Sequence, residues 1–387
     1  MITFLHTADW QIGKPFGQFQ DAGKVATLQK ARLDALENLA ALVRDHQVNA
    51  VLVCGDMFDS PLATRSIVCQ TLEKIGKMSC PVYAIPGNHD HAGPGTVWQM
   101  PYFEKERKAL APNLHVLIEE RPVELDRAIL LPCPLLQRQT SGDPFGWLRG
   151  REVWDGLSAN KPRIILAHGT VQAFGADPDQ DSTSNYLDLE QLPAAEVDYV
   201  ALGDWHGLRQ VGPVAWYSGT PEPDRFPRAA DYRAGQALLV TVEGRGVPPK
   251  VEPVTTGQLT WAQLEVTLDT HSGVGPLDHR LGDLLGQAVG KHVVEVKLSG
   301  ELGLEAFSAL EELLEKYRAR ALELRVAQRV AVAPQAADLA ALAKRPSDPM
   351  IAEVATRLKH SLETGGSEQD RAALLALHRL VRELEEK

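Results

Sequence analysis

The chain has 387 residues, 44% hydrophobic and 24% charged, which is too long for one hydrophobic core and too apolar for wholesale disorder. Lys plus Arg number 40 against 51 Asp plus Glu, and the net charge of −11 excludes a generally basic coat for nucleic acid, leaving DNA binding to a local basic surface or a metal centre. No run reaches the ~20 apolar residues of a membrane helix, the opening MITFLHTADW has no secretory pattern, and Cys54, Cys69, Cys80 and Cys133 form no Cys-x-x-Cys pair, so a cytoplasmic protein with reduced thiols is expected.

Along the chain, Ile2–His6 reads as a buried strand, followed by a long helix with Leu36, Leu39 and Val43 at +3 and +4 spacing. Ala50–Cys54 is a second apolar run and Arg65–Met78 a second helical stretch. Pro81–Ile85, Ile164–Ala167 and Val197–Leu202 are further runs that stop at polar, Gly-containing loops. Strands apolar on both faces predict a sheet covered by helices; Ala215–Ser218 and Ala237–Val242 read as later strands without helices between them. The fold class expected is α/β (α+β), layered, with central sheets flanked by helices. Glu243–Pro249, EGRGVPP, reads as a boundary closing a first domain over residues 1–245. Beyond it, Trp261–Leu268 and His292–Leu298 alternate as half-exposed strands, Leu302–Tyr317 is helical and Ala321–Val332 begins a third strand, a small βαβ-type domain over 258–333. Residues 336–387 read as a helical tail, with Ile351, Val354 and Leu358 in one stripe and Leu374, Leu377, Val381 and Leu384 in another.

Five loops directly follow apolar runs: Asp9-Trp10-Gln11, Gly55-Asp56-Met57-Phe58-Asp59, Gly87-Asn88-His89-Asp90, Ala167-His168-Gly169 and Gly203-Asp204-Trp205-His206. Ligands in open α/β sheets collect outside the carboxyl ends of the strands. Loops of Asp, His and Asn at those ends can therefore converge on one point, and such oxygen and imidazole donors suit one or two divalent cations. Each loop alone is an ordinary turn former; the order Gly-Asp-x-x-Asp before Gly-Asn-His-Asp is the specific signature.

These residues resemble the calcineurin-like metallophosphoesterases. Within that superfamily FLHTADWQIGK is similar to the opening of the bacterial SbcD nuclease subunits and their archaeal and eukaryotic double-strand-break repair counterparts. The resemblance implies a metal-dependent DNA exo/endonuclease in which Asp9, Gln11, Asp56 and His206 hold a first cation. Asp56 would bridge to a second, completed by Asn88, His168 and Asp204. His89 would be the catalytic histidine, with Asp59 or Asp90 orienting it. It further implies that residues 258–333 are a DNA-binding cap, that DNA ends are the substrate, and that the tail packs on an SbcC-like coiled-coil ATPase; a homodimer stays open. Two cations roughly 3.5–4 Å apart would neutralise the phosphodiester and stabilise the developing charge.

Two positions depart from the family pattern: Gln11 stands where a His is usual, and Asp204 where the first His of Gly-His-x-His is usual. The donor balance moves from nitrogen toward oxygen, favouring manganese or magnesium over zinc. His91 reads as a loop histidine, and Lys105–Lys108 and Arg318–Arg329 hold candidate phosphate contacts, although charge runs are usually solvated faces. Tyr217-Ser218-Gly219-Thr220-Pro221 resembles a family loop beside the metals, with no residue assigned a role. The tail helices have two readings, folding back on their own chain or docking a partner. Two other functions stay open: a stand-alone phosphoesterase for a small phosphate ester, and a DNA-end-binding scaffold that no longer cleaves.

Overall fold

The computed structural model describes residues 1–140, 142–171, 185–227, 229, 231–333, 336–345, 348–365 and 367–385. They divide into two compact units, Met1–Leu259 and Thr260–Lys387.

The first unit opens with β1 (Ile2–Thr7), α1 (Ala22–Asp45), β2 (Ala50–Cys54), α2 (Arg65–Gly76), β3 (Val82–Ile85), α3 (Pro101–Leu110) and β4 (Leu114–Val116). It continues through β5 (Val123–Glu124), β6 (Ile129–Cys133), α4 (Arg151–Asp155), β7 (Arg163–His168), β8 (Thr170–Val171), β9 (Tyr186–Leu187), β10 (Tyr199–Gly203), β11 (Arg209–Gln210), β12 (Ala215–Tyr217), β13 (Gln236–Val242) and β14 (Lys250–Thr255). Two six-stranded sheets result, in the orders β14-β13-β1-β2-β3-β4 and β11-β12-β10-β7-β6-β5. Strand alternation sends Leu5, Val51, Val53 and Val82 to the face covered by α1, α2 and α3. Their neighbours Phe4, Ala50, Leu52 and Ile85 meet Leu130, Ile164, Leu166 and Ala201 of the other sheet. The far face of the second sheet packs Ile165 and Val200 on Phe145, Leu148 and Trp154. Helix, sheet, sheet, helix is thus the layering, as expected for the α/β (α+β) class.

Residues 243–249 turn a hairpin: β14 pairs antiparallel with β13 from Gln236↔Thr255 to Thr241↔Lys250. The first unit therefore runs past the expected boundary at 245, because a Gly- and Pro-rich stretch serves a tight turn as well as a linker.

The second unit holds β15 (Thr260–Leu268), α5 (Gly275–Leu285), β16 (His292–Leu302), α6 (Leu304–Arg318) and β17 (Glu323–Val332), a parallel three-stranded sheet in the order β15-β16-β17. Leu277, Leu281 and Leu285 of α5 and Leu310, Leu313 and Leu314 of α6 bury one face. The other is polar, with Gln263, Glu295 and Arg325, then Thr267, Ser299 and Arg329, in cross-strand register. The helices α7 (Ala336–Ala343), α8 (Pro349–Glu363) and α9 (Glu368–Glu385) follow. Leu374 and Val381 are buried with Leu304, Leu339, Leu342 and Ala355, and Leu377 packs against that cluster. Most of the last stripe thus folds back within its own unit, and Leu384 is exposed.

Candidate metal centre

The loops after β1, β2, β3, β7 and β10 meet at the carboxyl ends of the two sheets. The first two run side by side, Asp9 N donating to Gly55 O (3.1 Å), Gln11 N to Asp56 O (2.8 Å) and Ile12 N to Met57 O (3.0 Å). Non-glycine residues adopt left-handed backbone here: Asp9 (φ 54°), Gln11 (φ 40°), Asp56 (φ 54°) and Asp204 (φ 102°). Such conformations persist where surrounding structure over-determines them, and they gather at functional sites. Gly55 (φ 86°) lets the loop pass the ring of His168, since a Cβ there would collide with its Nδ1.

Asp9, Asp56 and His168 are fully buried, and one donor atom of each lies within 4.8 Å of the others. His168 Nδ1 contacts the carbonyl oxygen of Cys54 at 2.8 Å; a carbonyl only accepts, so Nδ1 carries a hydrogen and Nε2 is the nitrogen left to bind a cation once it has given up its own proton. Around Nε2 stand the Asn88 amide (2.9 Å), Asp56 Oδ1 (3.6 Å) and Asp204 Oδ1 (3.8 Å). Asp204 is fixed by Thr170, whose hydroxyl donates to Oδ2 (2.8 Å), and its backbone N–H donates to the Asp9 carboxylate at 3.1 Å.

Charge balance points to a cation. Burial, with Asp56 and Asp204 adding to it, pushes the Asp9 carboxyl up to about 8. Burial opposes the charge on His168, but Asp56, Asp9 and Asp204 outweigh it and raise the imidazole to about 9. Three carboxylates around one imidazole leave a net negative pocket out of water, which a divalent cation at Asp56, Asn88, His168 and Asp204 would neutralise. Those residues fit a metal ion.

The other expected positions differ. His206 is buried with Nδ1 3.0 Å from Asp224 Oδ2, and burial, against the pull of that carboxylate, lowers it to about 4. Gln11 is turned from the cluster at one end: its Oε1 accepts from Lys14 Nζ at 2.6 Å, and its Nε2 donates to Asp56 Oδ2 at 3.3 Å. His89 is 31% exposed at its side chain, with Nε2 4.0 Å from Asp56 Oδ2. Its Nδ1 lies 3.0 Å from the backbone oxygen of Asp59 and 3.9 Å from that residue's Oδ1. Asp90 does not meet that ring; its carboxylate accepts from Gly87 N (2.7 Å) and Phe58 N (3.1 Å), bracing two of the loops together.

Five supporting residues have no role assigned from the sequence. Arg32 of α1 is buried and donates to the carbonyls of Trp10 (2.7 Å), Asp9 (2.8 Å) and Glu222 (3.1 Å). Thr220, in the loop of unassigned role, donates to Asp9 O at 2.8 Å. Lys14 lies 3.0 Å from Asp224, and Arg225 Nε 3.3 Å from the other oxygen of that carboxylate. Arg32 had a signal, a charge on the buried stripe of Leu28, Ala35 and Leu39; Lys14 closes the FLHTADWQIGK run without a role of its own, and Asp224 had no signal. The remaining candidates are structural: His91 Nδ1 accepts from Gly93 N (3.2 Å), and Arg107 and Lys108 pair with Glu104 on α3.

The calcineurin-like phosphoesterase family model matches residues 2–226. The chain is 32% identical over 275 residues to the SbcD component of the SbcCD nuclease of Bacillus subtilis, covering 62% of this chain and 66% of that one. It is 26% identical over 254 residues to the SbcD component of the same nuclease in Escherichia coli K12, covering 58% and 62%. It is 27% identical over 259 residues to the DNA double-strand break repair protein Mre11 of Methanosarcina acetivorans, covering 64% and 38%. The chain thus spans less than two thirds of each of these relatives. It belongs to the calcineurin-like phosphoesterase family.

Proposed function

We propose that this calcineurin-like phosphoesterase is a divalent-metal-dependent DNA exo/endonuclease that hydrolyses phosphodiesters at DNA ends in double-strand-break processing and repair. The observation that supports it best is the buried Asp9, Asp56 and His168 cluster with the half-exposed ring of His89 beside it. A bound cation, manganese or magnesium by the oxygen-rich donors, would supply Lewis-acid polarisation of the phosphate, at up to two positions that share Asp56.

The chain's own residues do the rest. Asp59's carbonyl keeps the hydrogen on Nδ1 of His89, so Nε2 is the atom that would take a proton from water and give it to the leaving oxygen as that oxygen's bond to phosphorus breaks. Asp56 also accepts the backbone N–H of His89 at 2.9 Å, tying the proton donor to the cation site. We assign residues 258–333 as the DNA-contacting cap, through Lys297, Arg325 and Arg329 on its open sheet face. Two of the relatives are by name one part of a two-part nuclease; a coiled-coil ATPase of the SbcC type is the partner proposed here.

The test incubates the full chain, with manganese and with chelator, on linear duplex DNA, closed circular DNA and bis(p-nitrophenyl) phosphate. Metal-dependent cleavage of linear DNA above the circular form is expected. Cleavage of the small diester alone would replace this reading by a stand-alone phosphoesterase, and binding of ends without cleavage by a scaffold.

A further inference from the structure

We infer that Gln11 is not a metal ligand in this chain, and that Lys14, acting through it, makes the two cation positions unequal, so that one divalent cation binds tightly and a second only weakly. The inference rests on the metal-dependent reading above.

The orientation of the Gln11 amide is decided by what faces it. An ammonium has three donors and no acceptor, so the atom 2.6 Å from Lys14 Nζ must be the amide oxygen. The amide nitrogen then faces Asp56 Oδ2 at 3.3 Å, and a carboxylate can only accept. Reversing the amide would set NH₂ against an ammonium and oxygen against a carboxylate, unfavourable at both ends. Asn88 is oriented by the site itself: the groups its amide meets, His168 Nε2 and the two Asp56 oxygens, are those a cation would engage, so a bound ion would meet its amide oxygen in their place.

Lys14 is held firmly enough to enforce this. Its ammonium lies 3.0 Å from the buried Asp224 and 3.9 Å from Asp59, and its side chain is 19% exposed. The chain turns tightly here, Lys14 N donating to Gln11 O at 3.1 Å, which brings the two side chains to the same side. Of the donors the resemblance implies for the first position, Asp9, Asp56 and His206 are left, with an amide N–H₂ against Asp56 and the Lys14 ammonium behind it. Both oppose a cation. At the second position Asn88, His168 and Asp204 stand with Asp56 Oδ1, the carboxylate oxygen that Gln11 does not engage.

Titrating manganese into the metal-free full chain, followed by native mass spectrometry and electron paramagnetic resonance, decides the matter without reference to activity. One manganese per chain with the spectrum of an isolated ion is expected, and a second site weaker by about tenfold or more, the scale on which residues behind the ligands act. Gln11→His, which supplies a nitrogen donor, and Lys14→Met, which frees the amide to turn, should each gain a second ion and an exchange-coupled spectrum. Two ions of similar affinity with a coupled spectrum in the unaltered chain would overturn the inference, as would variants that both stay at one ion. No bound manganese at all would instead remove the metal-dependent reading, and this inference with it.

Discussion

Arg32 donates through Nη2 to the backbone oxygen of Asp9 at 2.8 Å, so a guanidinium buried in the first helix holds the first metal-site loop from behind. Through Nη1 it holds Glu222 O at 3.1 Å, fixing a second loop with the same planar group. Arg32→Met should keep much of the volume but leave these carbonyls without a charged donor. The loss is expected to be about 3 kcal/mol or more, from several charge-assisted hydrogen bonds. Arg32→Lys should recover part of it, since an ammonium cannot reproduce the fork. Urea unfolding of the three chains measures this; equal midpoints would mean that the loops are held by something else.

His89 and Asp56 separate proton transfer from metal binding. His89→Ala removes the proposed proton donor but none of the atoms gathered around His168, so manganese should still bind while DNA cleavage falls by about 10²–10⁴-fold. Asp56→Ala should lose both, because its carboxylate lies at the centre of the cluster. Metal content and cleavage measured on folded protein of each variant check the pair. A drop in bound manganese for His89→Ala as large as for Asp56→Ala would assign the histidine to the metal instead.

Protons and metal compete for the same atoms. In the metal-free chain burial pushes Asp9 up to about 8, and the surrounding carboxylates, against burial, raise His168 to about 9. Both pKa values are raised, so at pH 7 the free site holds protons that a cation must displace. Metal affinity should therefore strengthen as pH rises from 6 to 8, about tenfold per pH unit for each proton released, and weaken as pH falls. Calorimetric manganese titrations in two buffers of different ionisation enthalpy count those protons. Zero release at pH 7 would show that neither group is a ligand.

Much of this was legible before the structure. Ala50–Cys54 is a strand with those bounds, and the five Asp, His and Asn loops do lie at the ends of β1, β2, β3, β7 and β10. Elements that broke the usual patterns were missed. β6, Ile129–Cys133, carries Pro132, which interrupts a strand pattern; it is tolerated because β5 pairs only Ile129 and Leu130, leaving no neighbour on that side to bond. Helix α5 hides its Leu277, Leu281 and Leu285 stripe among Gly275, Pro276 and Gly282. Gln11 showed the loss of a usual ligand, but what replaced it depends on Lys14 and Asp224, groups brought together only by the folded chain.

The tail gives the last prediction. Leu374, Leu377 and Val381 were equally suited to a partner or to the chain itself, and they pack in the second unit, Leu374 fully buried. Leu380 and Leu384 on the same helix are 49% and 52% exposed. The two sets should therefore respond differently. Leu374→Ala removes a side chain from a packed cluster and should cost about 2–5 kcal/mol, lowering the melting temperature of the second unit. Leu380→Glu and Leu384→Glu replace exposed groups, should change stability by no more than about 0.5 kcal/mol, and are the substitutions that would weaken the proposed ATPase partner. Differential scanning calorimetry reads the first effect and co-purification with the ATPase the second. If Leu374→Ala melts like the unaltered chain while losing the partner, the helix is held by the partner and not by its own unit, and the fold-back packing of α9 is not what stabilises it.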